Sequence, residues 1–259
     1  MYVYGFYECG RAVIDSKRVK TCQGREKSVY EMLETISDAQ TLSDWCNKNS
    51  QDPAAFPDFL SIVGQIMYAL MVAREHITDF SHCDLHTNNV LIRKLDKPYV
   101  IHYRGVGFQS KYVKTQWLAT IIDFGRASMW LDNDSKLGYV NYSLGHKPGR
   151  AEHLYDVCRL LGCMVLRVNH ARCAWRLKAR DLFLPFMEDP ANLRKFILND
   201  LAPWEAKYNI VPAGIDIDIG EYIDFLVHHY AGEGVFLTDP GSIPEFSCAG
   251  GTCSRDLFV

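Results

Sequence analysis

Three side chains suited to phosphate chemistry fall within eleven residues, His82-Cys-Asp-Leu-His-Thr-Asn-Asn-Val-Leu-Ile92. Asp84 is a carboxylate that can accept a proton, His86 can donate a hydrogen bond to a phosphate oxygen, and Asn89 offers an amide oxygen. Asp84 and Asn89 are five residues apart, close enough to sit on one short loop. A second carboxylate, Asp123, follows in Ile121-Ile-Asp-Phe-Gly125, where an apolar strand delivers an acid onto a Phe-Gly turn. An Asn oxygen and an Asp carboxylate are hard ligands of the kind Mg²⁺ prefers, so the two loops suffice to hold one phosphate-bound divalent ion. Asp and Asn also cap and start turns without any chemistry, which is the plain structural alternative.

These loops need supports on both sides. Upstream, Pro57 to His76 carries Phe59, Leu60, Val63, Ile66, Met67, Leu70, Met71 and Ala73 with almost no polar stripe, the pattern of a buried helix. Its most apolar run, Phe59 to Ala73, is too short to span a bilayer. Ile77 to Ser81 is expected as a short strand leading into the loop, and a β-branched strand leaves it at Val90. Between Arg93 and Leu118, Tyr99 to Tyr103 and Tyr112-Val113 suggest an extra hairpin. Downstream, Ala151 to Leu166 reads as a second buried helix with Asp156 near its start. Further helices are expected around Leu193 to Leu201 and Ile217 to Tyr230, separated by prolines.

The order His82-x-Asp84-Leu85-x-x-x-Asn89, then Asp123-Phe124-Gly125, resembles the catalytic loop and metal-binding triplet of the protein kinase superfamily. The variant Asp-Leu-His is similar to the divergent kinases of large DNA viruses. The resemblance implies an α+β fold with a mainly helical large lobe, and ATP and Mg²⁺ as cofactors. It implies Asp84 as the group that orients a substrate hydroxyl and accepts its proton, and Asn89 and Asp123 as the metal ligands. It makes His82 a scaffold residue and sets His86 where many protein kinases have a phosphate-neutralising Lys. It also makes Asp156 the buried acid that accepts hydrogen bonds from the catalytic-loop backbone. Cys83 stands where protein kinases commonly have Arg, which removes the cation that would bind a phosphorylated segment within Arg126 to Arg150.

Upstream, Tyr2 to Cys9 and Ser28 to Ile36 alternate polar and apolar residues, which predicts two strands joined by a polar connection. By position, Glu34 and Ile36 would lie at the hinge nearest the adenine, before a short helix capped at Thr41 or Ser43. No Gly-x-Gly-x-x-Gly occurs near the start. Lys17, Lys20 and Lys27 leave no room before Glu34 for a positioning helix and two strands, and read as solvated surface. The expectation is a truncated β small lobe and hinge over 1–45, a large lobe over 46–238, and a loose Pro, Gly and Ser-containing tail over 239–259.

A chain of 259 residues with 48% hydrophobic and 12% aromatic content is globular, and its net charge of −3 supplies no broad attraction to nucleic acid or an anionic membrane. Nine scattered cysteines and an N-terminus without a secretory pattern fit reduced thiols in the cytoplasm, or in a virion if the chain is viral. Besides small-molecule phosphotransfer, disfavoured because such enzymes usually lack a Phe-Gly after the second Asp, two functions follow from these readings. One is ATP- and Mg²⁺-dependent phosphoryl transfer to Ser/Thr hydroxyls of a protein substrate. The other is a catalytically degenerate binding or assembly module. In either case the small lobe is expected to be completed by another polypeptide or by self-association, because an isolated hairpin is marginal in water.

Overall fold

The computed structural model describes residues 3–15, 18–33, 36–77, 80–103, 111–132, 135–138, 155–170, 173–186 and 218–246. The chain divides into two compact units, Met1–Ala39 and Gln40–Val259. The expected boundary at 45 would have cut a helix, which instead belongs whole to the second unit.

The first unit is an antiparallel pair, β1 (Val3–Asp15) and β2 (Arg18–Leu33), with register shifts between Val3 and Gly5, Cys9 and Arg11, and Val13 and Ile14. The two expected strands are therefore much longer than their apolar alternation. The polar connection, including Lys20 and Lys27, is itself strand, because ladder bonds are made by backbone whatever the side chains.

In the second unit, Thr41 caps helix α1 (Leu42–Asn49), its side chain accepting the Asp44 N–H at 3.1 Å. Pro57 lies in the first turn of α2 (Phe56–His76), where a missing N–H costs nothing. α2 is the centre of the core: Phe59, Leu60, Ile62, Val63, Ile66 and Met67 are all buried. By length and composition the span Pro53–His76 is long and apolar enough to cross a membrane, which corrects the shorter estimate from Phe59–Ala73. Its most apolar window is 83% buried within the protein, as a core helix is.

A four-stranded sheet packs on α2 in the order β3 (Ala39–Thr41), β4 (Val90–Tyr103), β5 (Lys111–Ile121), β8 (Phe236–Leu237). β4 and β5 pair antiparallel from Val90↔Ile121 out to Tyr103↔Lys111. The extra hairpin expected between Arg93 and Leu118 is thus the far end of one continuous hairpin, kinked by a register shift between Lys94 and Tyr99. Gln65 of α2 fastens the helix to β5: its amide donates to Thr115 Oγ1 at 3.2 Å and to the Trp117 carbonyl at 2.8 Å, and it accepts from the Ala119 N–H at 3.0 Å. At Gly64 an added Cβ would meet the Phe236 ring at 2.9 Å, so the missing side chain lets β8 close on the helix.

At the start of α2 the Trp117 indole N–H donates to Asp58 Oδ2 at 2.9 Å. Burial holds the Asp58 carboxyl above its usual range, opposed by this hydrogen bond and by Lys94. A carboxyl raised in this way contributes stability that is fully present below its unfolded pKa of 3.8 and is lost as pH rises through the folded value. Asp58→Asn keeps an acceptor for Trp117 and has no charge to bury. It is expected to melt higher than wild type at pH 7, with the gap closing at about pH 3; thermal melts at both values check this.

Further described elements are the small hairpin β6 (Ser128–Asp132) and β7 (Ser135–Gly138), then α3 (Tyr155–His170), α4 (Arg176–Asp181) and α5 (Ile219–His229). Asp218 and Glu221 close a capping box at the start of α5. The helix expected around Leu193 to Leu201 lies outside the described residues. The segment 239–246, read as the start of a loose tail, is bonded to β4: Val100 N–H donates to the Pro244 carbonyl at 3.0 Å and Phe246 N–H to the Val100 carbonyl at 2.8 Å. Ile77 to Ser81 is no strand among its described residues; only Ser81 makes an isolated bridge.

Candidate active site

The loop between α2 and β4 is held from below by one buried acid. Asp156, in the first turn of α3 and 3% exposed, accepts from the Ser81 hydroxyl at 3.1 Å, the His82 N–H at 2.7 Å and the Cys83 N–H at 3.0 Å. The role expected for Asp156 from the sequence is the one its contacts describe. Cys83 takes a left-handed backbone, φ 59°, unfavourable for a residue with a Cβ. The carboxylate holds that turn by accepting from the N–H groups of the two successive peptides that lead into Cys83.

Beyond the turn, Asn89 closes the loop. Its side-chain amide donates to the Asp84 carbonyl at 3.0 Å, and its backbone N–H to the His86 carbonyl at 2.9 Å. The first bond fixes which end of the Asn89 amide is nitrogen, so its oxygen is the acceptor end. The second loop is stitched to the first where the β4–β5 ladder ends. Ile122 N–H donates to the Asn89 carbonyl at 3.0 Å, and His82 Nε2 donates to the Ile122 carbonyl at 3.0 Å. His82 is wholly buried, and its ring lies 5.0 Å from that of Phe124. It is scaffold, as its position suggested.

Asp123 follows Ile122 with φ 63° and ψ 65°, a left-handed conformation that Asp tolerates better than most residues. That twist turns the chain into the short 3₁₀ helix Phe124–Arg126 and leaves Asp123 exposed. A Cβ at Gly125 would come within 3.3 Å of Asp123 Oδ1, so glycine there keeps room beside the carboxylate.

Asp84 is partly buried and ion-paired with Arg159 of α3, whose other terminal nitrogen donates to the Cys83 carbonyl at 2.6 Å. His86 Nδ1 accepts the Asn88 N–H at 3.2 Å, which puts the ring proton on Nε2, 4.0 Å from Asp84 Oδ1. Burial pushes the His86 pKa below its usual value; Asp84 pulls the other way and Arg159 adds to the depression. His86 is therefore a neutral hydrogen-bond donor at neutral pH.

The structure thus brings Asp84, His86 and Asn89 onto one loop and joins the Asp123 loop to it. Ile36 follows β2 in the first unit, and Glu34 lies outside the described residues. Among the described residues no group of three or more His, Cys, Asp or Glu could cage a metal. An Asn oxygen and an exposed carboxylate instead suit an ion that keeps waters and phosphate oxygens in its shell, as Mg²⁺ does. Sequence reading missed Arg159. The available signal was its spacing of three from Asp156, which sets both on one face of α3.

No protein-family model matches the chain. A curated protein described as "Probable kinase 098L", from Invertebrate iridescent virus 3, is 28% identical over 140 residues. That alignment covers 54% of this chain and 25% of the viral protein, so the chain spans about a quarter of that relative's length. The similarity suggests a kinase-like relationship, and the mixed helix and antiparallel-sheet architecture is compatible with the expected α+β class.

Proposed function

We propose that this chain is a protein-kinase-like phosphotransferase that moves the terminal phosphoryl group of ATP to a Ser or Thr hydroxyl of a protein substrate. The observation that carries the reading is the stitching of two loops at Ile122 N–H to Asn89 carbonyl, which joins a base-bearing turn to an exposed carboxylate. Asp84 accepts the proton of the substrate hydroxyl as its oxygen bonds to the terminal phosphorus and the bond to ADP breaks. His86, protonated at Nε2, donates a hydrogen bond to the transferring group. Asn89 and Asp123 would hold Mg²⁺, whose charge offsets that of the phosphates. On this reading the chain works in the host-cell cytoplasm or in a virion, with no need of nucleic acid or membrane.

Titration calorimetry with ATP and Mg²⁺, followed by a transfer assay on Ser/Thr peptides, tests the proposal. No Gly-x-Gly-x-x-Gly stands near Lys20 and Lys27 of β2, and the residues between them and Glu34 leave no room for a helix to position either, so binding is expected to be weak, with Kd between about 10 μM and 1 mM, and Asp123→Ala is expected to abolish it. A second reading, a degenerate binding module, is favoured by β1–β2. Among the described residues those strands form a sheet of two, and such open edges invite a strand from another polypeptide. Absence of binding at millimolar nucleotide would decide for the module.

A further inference from the structure

We propose that Arg159 is a positioning residue for Asp84, an inference that rests on the phosphotransferase reading above. Its guanidinium spans two consecutive loop residues, donating from one nitrogen to the Cys83 carbonyl at 2.6 Å and from the other to Asp84 Oδ1. A carbonyl fixed by the turn and a carboxylate free to rotate about its side-chain bonds are thereby tied to one planar group. The orientation of the carboxylate is set by the backbone that Asp156 already holds. Asp156 and Arg159 are three apart on α3 and so project from one face of it. Asp156 takes the donors of Ser81, His82 and Cys83, and Arg159 takes the acceptors of Cys83 and Asp84.

The pair is largely withdrawn from water, at 10% side-chain exposure for Arg159 and 15% for Asp84. An exposed ion pair would fluctuate and orient little. Lysine cannot substitute fully, because an ammonium is a point donor and lacks the fork that bridges two fixed acceptors. His86 Nε2 stands 4.0 Å from the same Oδ1, beyond hydrogen-bond distance.

Steady-state kinetics of the full chain, with Arg159→Met and Arg159→Lys, test this. Arg159→Met is expected to lower kcat roughly 100-fold, the usual cost of misplacing a reacting group by an ångström, with KM for ATP within about twofold of wild type. Arg159→Lys is expected to recover about tenfold of that loss. Circular dichroism reports whether each variant folds; if the Met variant does not, the Lys variant decides by the same split between kcat and KM. Unchanged kcat in a folded variant overturns the positioning role and leaves the phosphotransferase reading standing. A wild-type chain that transfers no phosphate overturns both.

Discussion

Asp156→Ala is expected to destabilise the second unit by about 3–5 kcal/mol, the range for stripping a buried charged acceptor from its partners. Three donors lose their acceptor at once: the Ser81 hydroxyl and the N–H groups of His82 and Cys83. The two backbone donors cannot turn to water without opening the turn, and the left-handed Cys83 loses the acceptor of its N–H. Arg159 also loses the neighbouring anion on its own helix. A small domain has only about 5–15 kcal/mol in total, so the variant is expected to be partly unfolded at physiological temperature. Asp156→Asn keeps one acceptor oxygen and should fall between the two. Urea melts check this through the midpoint, at unchanged slope; a loss under about 1 kcal/mol would show that the loop is held by something else.

Asp84→Asn is expected to reduce phosphoryl transfer by about 10³-fold at saturating ATP, within the span that removal of a positioned general base produces. The substitution keeps an oxygen for Arg159, and the Asp84 carbonyl that receives the Asn89 amide is untouched. The loop should therefore keep its shape, and ATP affinity should stay within about twofold, because Asp84 is not assigned to the metal. That separates it from Asp123→Ala, where binding itself is expected to go. A variant retaining more than about a tenth of wild-type transfer would remove Asp84 from the proton-accepting role.

Much of the second unit was legible because its signals are hydrophobic. The nearly unbroken apolar pattern over Pro57 to His76 predicts α2 to within a residue of its true start, and the apolar, β-branched run Val90-Leu-Ile92 predicts the start of β4. Asp156 was legible through the kinase resemblance, since by itself an acid in the first turn of a helix is equally explained by the helix dipole. Arg159 was not, because a lone Arg on a helix looks the same whether it faces solvent or a carboxylate dozens of residues away in sequence. The full extent of β1 and β2 was hidden because polar residues such as Thr21 and Gln23 take places in the ladder, whose bonds are made by backbone whatever the side chains. The attachment of 239–246 to β4 was hidden for a related reason: Pro, Gly and Ser content marks turns, yet the carbonyl of Pro244 is as good an acceptor as any.

The grip of α3 on the loop also sets an order of events during synthesis. Cys83 and the acid that receives its N–H are 73 residues apart in sequence. At about 5–20 residues added per second, the ribosome makes Asp156 roughly 4–15 s after Cys83. For most of that interval the nascent chain already contains His82 to Ile92 in full, while the turn that aims Asp84 has neither its anion nor its cation. A polypeptide cut short before Tyr155 would carry the whole motif and still lack the shape that gives it meaning.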